Sequence, residues 1–221
     1  MSNANPVRPI SEIRRQGIHN PCIYPTFEFS DDEYEEAVTI ANSWYRTGYT
    51  DPQKQHNNIP SIIDDDADYS VQKQESKQVI RTGALGQMAF AGIYERDWRS
   101  SDDSVQLYGD SGTDIVVGDW QIDVKTNRYG WSNGVEPVLK IDRSKHEKND
   151  HLDAYHLMEQ ISAQEYRSIG FIYYDDVAEV GTKIDEGEVY KPDDPRYNVP
   201  SRRDNWFVDN TDLIAVFPIP E

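Results

Sequence analysis

One cysteine, Cys22, is all the sequence contains. A lone thiol excludes an internal disulfide framework and any zinc site built from several cysteines. No apolar run approaches the ~20 residues that span a bilayer. The opening MSNANPVRPISEIRRQ has no apolar stretch behind its charges, so a cytoplasmic rather than secreted protein is expected. Lysine is also scarce: 9 lysines and 13 arginines stand against 25 aspartates and 15 glutamates, a formal net charge of -18 over 221 residues. Phosphates are met by lysine and arginine, so this balance opposes non-specific nucleic-acid binding at ordinary salt. In molar salt the objection weakens, because the Debye length falls to about 3 Å and only close contacts count. An aspartate-rich, lysine-poor surface fits a salt-adapted (halophilic) source; an ordinary acidic protein fits too.

The chain divides into an arm and a core. Residues 1–29 lack periodicity and hold four prolines. Ser30–Gly48 is the clearest helix: Ser30 and Glu33 form a capping box, and Tyr34, Ala37, Val38, Ala41, Trp44 and Tyr45 recur at helical spacing. Residues 50–70 are polar and include Asp64-Asp65-Asp66, a solvated charge run. The expected organisation is therefore 1–70, an N-terminal arm with one amphipathic helix (30–48) and an acidic linker, followed by a core domain at 71–221. Within the core, Gly83–Trp98 reads as a second helix whose small residues Gly86, Ala89 and Gly92 allow close packing on a sheet. Strands are expected at 114–118, 120–126, about 152–158, 166–174, 205–208 and 213–217. Short strands with few helices imply a mixed α/β (α+β) layer fold.

Residues Tyr108–Thr126 read YGDSGTDIVVGDWQIDVKT. Gly109-Asp110-Ser111-Gly112 is the setting of a serine-protease nucleophile, but neither His19 nor His56 lies in a context that would make it the general base. A turn leading into a strand is the preferred reading of those four residues. Beyond them, Gly118-Asp119 suits a two-residue hairpin turn. That turn sets Val117 opposite Trp120, Val116 opposite Gln121, Ile115 opposite Ile122 and Asp114 opposite Asp123. Alternation then gives one apolar face (Ile115, Val117, Trp120, Ile122, Val124) and one polar face with Asp114, Gln121, Asp123 and Lys125. Two unbridged carboxylates about 5 Å apart destabilise a hairpin. A hard divalent cation takes oxygen ligands of this kind. An exposed acidic hairpin face is the alternative reading.

Asp114, eight residues, then Asp123-Val124-Lys125 resembles the PD-(D/E)xK nuclease superfamily, to which restriction endonucleases belong. The upstream Gly83-Ala84-Leu85-Gly86-Gln87-Met88-Ala89 is similar to the GxxGExA-like segment of small phage and archaeal-virus members, with Gln87 at the glutamate position. The resemblance implies a restriction-endonuclease-like core, a central mixed sheet flanked by helices. It implies Mg2+ (or Mn2+ in its place) held by Asp114, Asp123 and the Val124 carbonyl. Lys125 would act on the attacking water or the phosphate, Gln87 would support, and the substrate would be DNA. It further implies a cytoplasmic or virion-associated setting, with a homodimer or a viral assembly partner left open. Thr113 replaces the proline that often precedes the first acid. Gln87 supplies neither charge nor base, so the alternative is a catalytically weakened nuclease-fold protein that binds DNA or forms part of a virus particle.

Two further groups carry candidates. Residues 125–148 are locally basic, with Lys125, Arg128, Lys140, Arg143, Lys145 and Lys148 against Glu136, Asp142 and Glu147. A phosphate-facing flank, with Tyr129 and Trp131 to stack on bases, and a solvated loop both fit; Arg128, Lys140, Arg143 and Lys145 are the candidate DNA contacts. His146, His151 and His156 are five apart, a spacing that turns each successive residue about 140° on a helix, so zinc would need more convergence than this.

Overall fold

The computed structural model describes residues 24–49, 69–94, 97–99, 113–128, 136–194, 197–198 and 200–215. GDSG, the aspartate run 64–66, Tyr129 and Trp131 lie outside them. The chain folds as mixed α/β, with helices on one face of a curled mixed sheet and a second small sheet on the other. The first sheet has the order β1-β6-β5-β3-β2, where β1 is Thr26–Glu28, β2 Ile115–Val117, β3 Trp120–Arg128, β5 Ala154–Gln160 and β6 Glu165–Tyr173. Only β3 and β5 pair in parallel; their neighbours pair antiparallel. The second sheet has the order β4-β8-β7, with β4 at Val138–Asp142, β7 at Thr182–Ile184 and β8 at Asn205–Asp209, all antiparallel.

Helix α1, Asp31–Tyr49, starts as its sequence dictates. The Ser30 amide donates to the Glu33 carboxylate at 3.0 Å and Glu33 N–H returns to Ser30 Oγ at 3.4 Å. Asp31, Asp32 and Glu33 place negative charge at the positive end of the helix dipole. Its Ala37 and Ala41 are fully buried, so α1 packs into the core. Helix α2, Tyr69–Ile93, begins well before the expected Gly83. Its first turns (YSVQKQESK) have no apolar periodicity to reveal them, although Gln, Lys and Glu are good helix formers. At Gly86 a Cβ would stand 1.9 Å from Thr126 Oγ1, and at Gly92 2.3 Å from the Phe27 ring. Absent side chains at these two positions let α2 close onto the sheet.

One core lies between the helices and the first sheet, built from Phe29, Leu85, Met88, Phe90, Ile122, Val124, Tyr166 and Phe171, among others. The other lies between the sheets, with Leu139, Ile141, Tyr155, Leu157, Ile169, Ile172 and Val208. Strand β5 is buried along its whole length, and its polar residues are partnered accordingly. His156 bonds Ser168 at 2.9 Å, Glu159 pairs with Arg167, and Gln160 donates to Tyr166 Oη at 2.9 Å. Of the expected strands, 213–217 is present only as a bridge from Ile214 to Phe171, with 216–217 outside the described residues. Strands β1, β4 and β7 were not expected from the sequence. The parallel pair is joined by β4 and the short helix α3, Arg143–His146, so this connection crosses the second-sheet side of the main sheet.

Candidate metal and phosphate site

The β2–β3 register is the one the Gly118-Asp119 turn predicts: Ile115↔Ile122, Val116↔Gln121, Val117↔Trp120. Gly118 adopts φ 63°, a left-handed conformation that this turn requires and glycine tolerates. Asp114 N–H donates at 2.9 Å to the carbonyl of Ile122, the residue already opposite Ile115, and the Asp114 carboxyl comes within hydrogen-bonding reach of Asp123. Among the described residues β3 has no partner strand on this edge past Ile122. The Asp114 carboxylate takes over, accepting from Val124 N–H at 2.7 Å. In an extended strand a residue's amide and carbonyl face the same edge, so the Val124 carbonyl also faces Asp114.

Alternation and the parallel register with β5 divide the chemistry of β3 cleanly. Ile122, Val124 and Thr126 align with Ala154, His156 and Met158 on the helix side; Asp123, Lys125 and Asn127 align with Tyr155, Leu157 and Glu159 on the second-sheet side. Asp123 is 6% exposed, and the Lys125 ammonium lies 2.6 Å from its Oδ1. Loss of hydration, then the Asp123 charge and hydrogen bonding between the two carboxyls, push Asp114 well above the usual carboxylate range. Lys125 and the Val124 amide only partly offset this. The Lys125 ammonium balances Asp123, while burial and the Asp123 charge make Asp114 harder to ionise.

Several neighbours escaped the sequence reading. Tyr155, level with Asp123, has its hydroxyl 3.1 Å from His146 Nδ1. The His146 ring stacks on Tyr174 at 4.1 Å, and burial lowers its pKa. Burial and the Asp123 charge make the Tyr155 phenol harder to ionise. On the open side, Thr113 Oγ1 donates to Gln121 Oε1 at 3.1 Å and lies 3.1 Å from His151 Nε2; Asp153 accepts from Gln121 N–H at 2.7 Å. Gln121 itself stands on the polar face where the alternation placed it.

The remaining candidates scatter. Gln87 sits part-exposed on α2, the helix that covers the opposite face of the sheet, and makes no hydrogen bond to either carboxylate. Arg128 is the exposed last residue of β3. Lys140 projects from β4 with its ammonium 5.5 Å from the Phe207 ring. Arg143 is engaged by Asp185 at 2.7 Å and Asp204 at 3.5 Å. Lys145 lies in α3, its amide capped by Asp142. The three histidines go to three places: His146 to Tyr155, His151 to Thr113, and His156 into the helix-side core, where burial lowers its pKa to about 3. Among the described residues no three His, Cys, Asp or Glu side chains gather as a metal cluster. Comparison with family models, curated proteins and solved structures finds no match to this chain.

Proposed function

We propose that the chain is a Mg2+-dependent nuclease with a restriction-endonuclease-like core, hydrolysing DNA phosphodiesters. The observation that carries this reading is the pairing of Asp114 with Asp123 beside the Lys125 ammonium on one strand face. The residues fit a cation: burial and then the Asp123 charge make Asp114 harder to ionise, and a hard divalent ion relieves both. Asp114, Asp123 and the Val124 carbonyl would hold Mg2+, or Mn2+ in its place. When bound there, the ion supplies positive charge to the scissile phosphate. Lys125 orients or deprotonates the attacking water, and Gln121 lines the approach on the same face. The wild-type chain should cut DNA with Mg2+ or Mn2+, and Lys125→Ala should abolish cutting. A wild-type chain inert with both ions on single-stranded, duplex and RNA substrates sinks the reading.

A second reading has one observation in its favour. Gln87 provides an amide where the resembling proteins carry an acid, and it makes no contact with the pair. On this view the fold is retained for nucleic-acid binding or as part of a virus particle. Gln87→Glu creating activity in an inert wild type would support it.

A further inference from the structure

Strand β4 and α3 cross the main sheet beside the candidate site. At one end Asn127 Nδ2 donates to the Val138 carbonyl at 2.9 Å; at the other His146 meets Tyr155, the neighbour of Asp123. The span from 138 to 146 therefore runs alongside β3 from Asn127 back to Asp123, passing Lys125. Two residues into it stands Lys140, opposite Phe207 of β8 and, since Leu139 and Ile141 face the core between the sheets, on the face of β4 that points away from the first sheet. The charged neighbours that act on its ammonium are Arg202, Asp142 and Arg203. Only Arg203 of these cations is neutralised, by Asp142 at 3.0 Å. Lys140 and Arg202 have no ion-pair partner among the described residues, and both are exposed.

Two guanidinium groups acting on one ammonium, with Asp142 the carboxylate beside it, are a costly arrangement in a chain of net charge -18, where acidic partners abound. Partial burial and the two guanidinium groups hold the Lys140 ammonium below its ordinary lysine value, a direction that an added anion would reverse. The ring of Phe207 under Lys140 fixes the group in place rather than neutralising it. Arg202 and Arg203 lie sixty residues away in sequence, so only the β4–β8 pairing brings them to Lys140.

We propose that Lys140, Arg202 and Arg203 form an anchor for the phosphate backbone of a nucleic acid on the outer face of the second sheet. This names the substrate grip of the nuclease reading and rests on it for its role, though binding can be tested apart from cleavage. Anisotropy of a labelled oligonucleotide, single-stranded and duplex, would be followed in EDTA against salt with the full chain. Replacing two phosphate contacts, as in Lys140→Gln with Arg202→Gln, should flatten the slope of log affinity against log salt by about 1.4 on single strands and 1.8 on duplex. At 0.1 M salt that corresponds to roughly 25-fold and 60-fold weaker binding. The charge-keeping pair Lys140→Arg with Arg202→Lys should retain the slope, with an unchanged thermal midpoint. The same charge removed on the helix side, Arg81→Gln with Arg99→Gln, should leave it unaltered.

An unchanged slope in the Lys140/Arg202 variant, an equal loss in the helix-side control, or no wild-type binding at low salt overturns the anchor. Competition by polyglutamate as strong as that by DNA overturns nucleic acid as its occupant. The two readings fail separately. Cleavage that survives Lys125→Ala, with the slope falling as stated, removes the nuclease and keeps the anchor; wild-type cleavage with an unmoved slope does the reverse.

Discussion

Strand β3 shows Ile122, Val124 and Thr126 to helix α2, and Gln121, Asp123 and Lys125 to the second sheet, and the two rows meet different surroundings. On the helix side the neighbours are packed and mostly apolar, with His156 buried among them and Gly86 letting α2 close onto Thr126. On the other side the same strand carries Asp123, set against Asp114, and Lys125, with the hydrogen-bonded Tyr155 of β5 alongside. A strand alternates with period two, so fold and chemistry can occupy one segment without competing. The comparison also predicts that damage to each row should appear in a different measurement.

The largest effect should come from setting one row against the other. Asp123→Asn should lower DNA cleavage by at least about a hundredfold, the lower range for losing a group that acts in proton transfer or charge stabilisation. Its thermal midpoint should hold or rise, because the repulsion at Asp114 is relieved. Ile122→Ala, one residue away and fully buried, should instead cost about 2–5 kcal/mol in urea unfolding. At a temperature where it remains folded it should keep most of its cleavage. If Asp123→Asn unfolds the chain, or Ile122→Ala loses cleavage while folded, the division of the strand is wrong.

Next comes the closeness of helix to sheet. Gly86→Ala places a methyl against the Thr126 side chain, whose Oγ1, Cβ and Cγ2 would all lie within 2.9 Å. Turning one torsion of Thr126 cannot clear all three, so α2 or β3 must move, at about 1–3 kcal/mol. The shorter Thr126→Ser should recover part of that loss in a double variant, since two contacting sites do not add. An additive double variant would show that the helix shifts without reference to Thr126.

How much of this was legible depended on the range of the signal. Both rows of β3 followed from a local pattern, a Gly-Asp turn between alternating residues, and three of the four expected pairs came out. At the fourth, the Asp114 amide bonds Ile122 and the carboxyls of Asp114 and Asp123 meet through their side chains. The capping box at Ser30 was equally local. The second sheet was not. Val138-Leu139-Lys140-Ile141-Asp142 alternates over only five residues inside a segment whose lysines and arginines suggested a phosphate-facing flank or solvated loop. Its partner β8 lies more than sixty residues away, and nothing short-range pairs them. The same distance hid Arg202 and Arg203, which mean little as a dipeptide and something only beside Lys140. For Gln87 the sequence signal has a different limit. A motif spacing places it on a helix but does not say which face of the sheet that helix covers.

The smallest effect expected is the pH dependence that Asp114 gives to stability, and it sharpens the contrast most. Its pKa is raised in the folded chain, so folding binds a proton there more tightly than the unfolded chain does. That contribution is complete below the ordinary carboxylate value of about 4 and is lost as pH climbs through the raised folded value. Other carboxyls, such as Asp142 with its lowered pKa, slope the opposite way, so the wild-type curve alone is ambiguous. The difference between wild type and Asp114→Asn isolates the group. In EDTA, urea unfolding should show the wild type losing ground to the variant as pH rises through the weak-acid range. Saturating Mg2+ should narrow that difference, because the ion binds the ionised form and replaces the proton. Parallel curves in EDTA would mean that Asp114 and Asp123 do not burden one another, and the chemical row of β3 would then be an ordinary acidic surface.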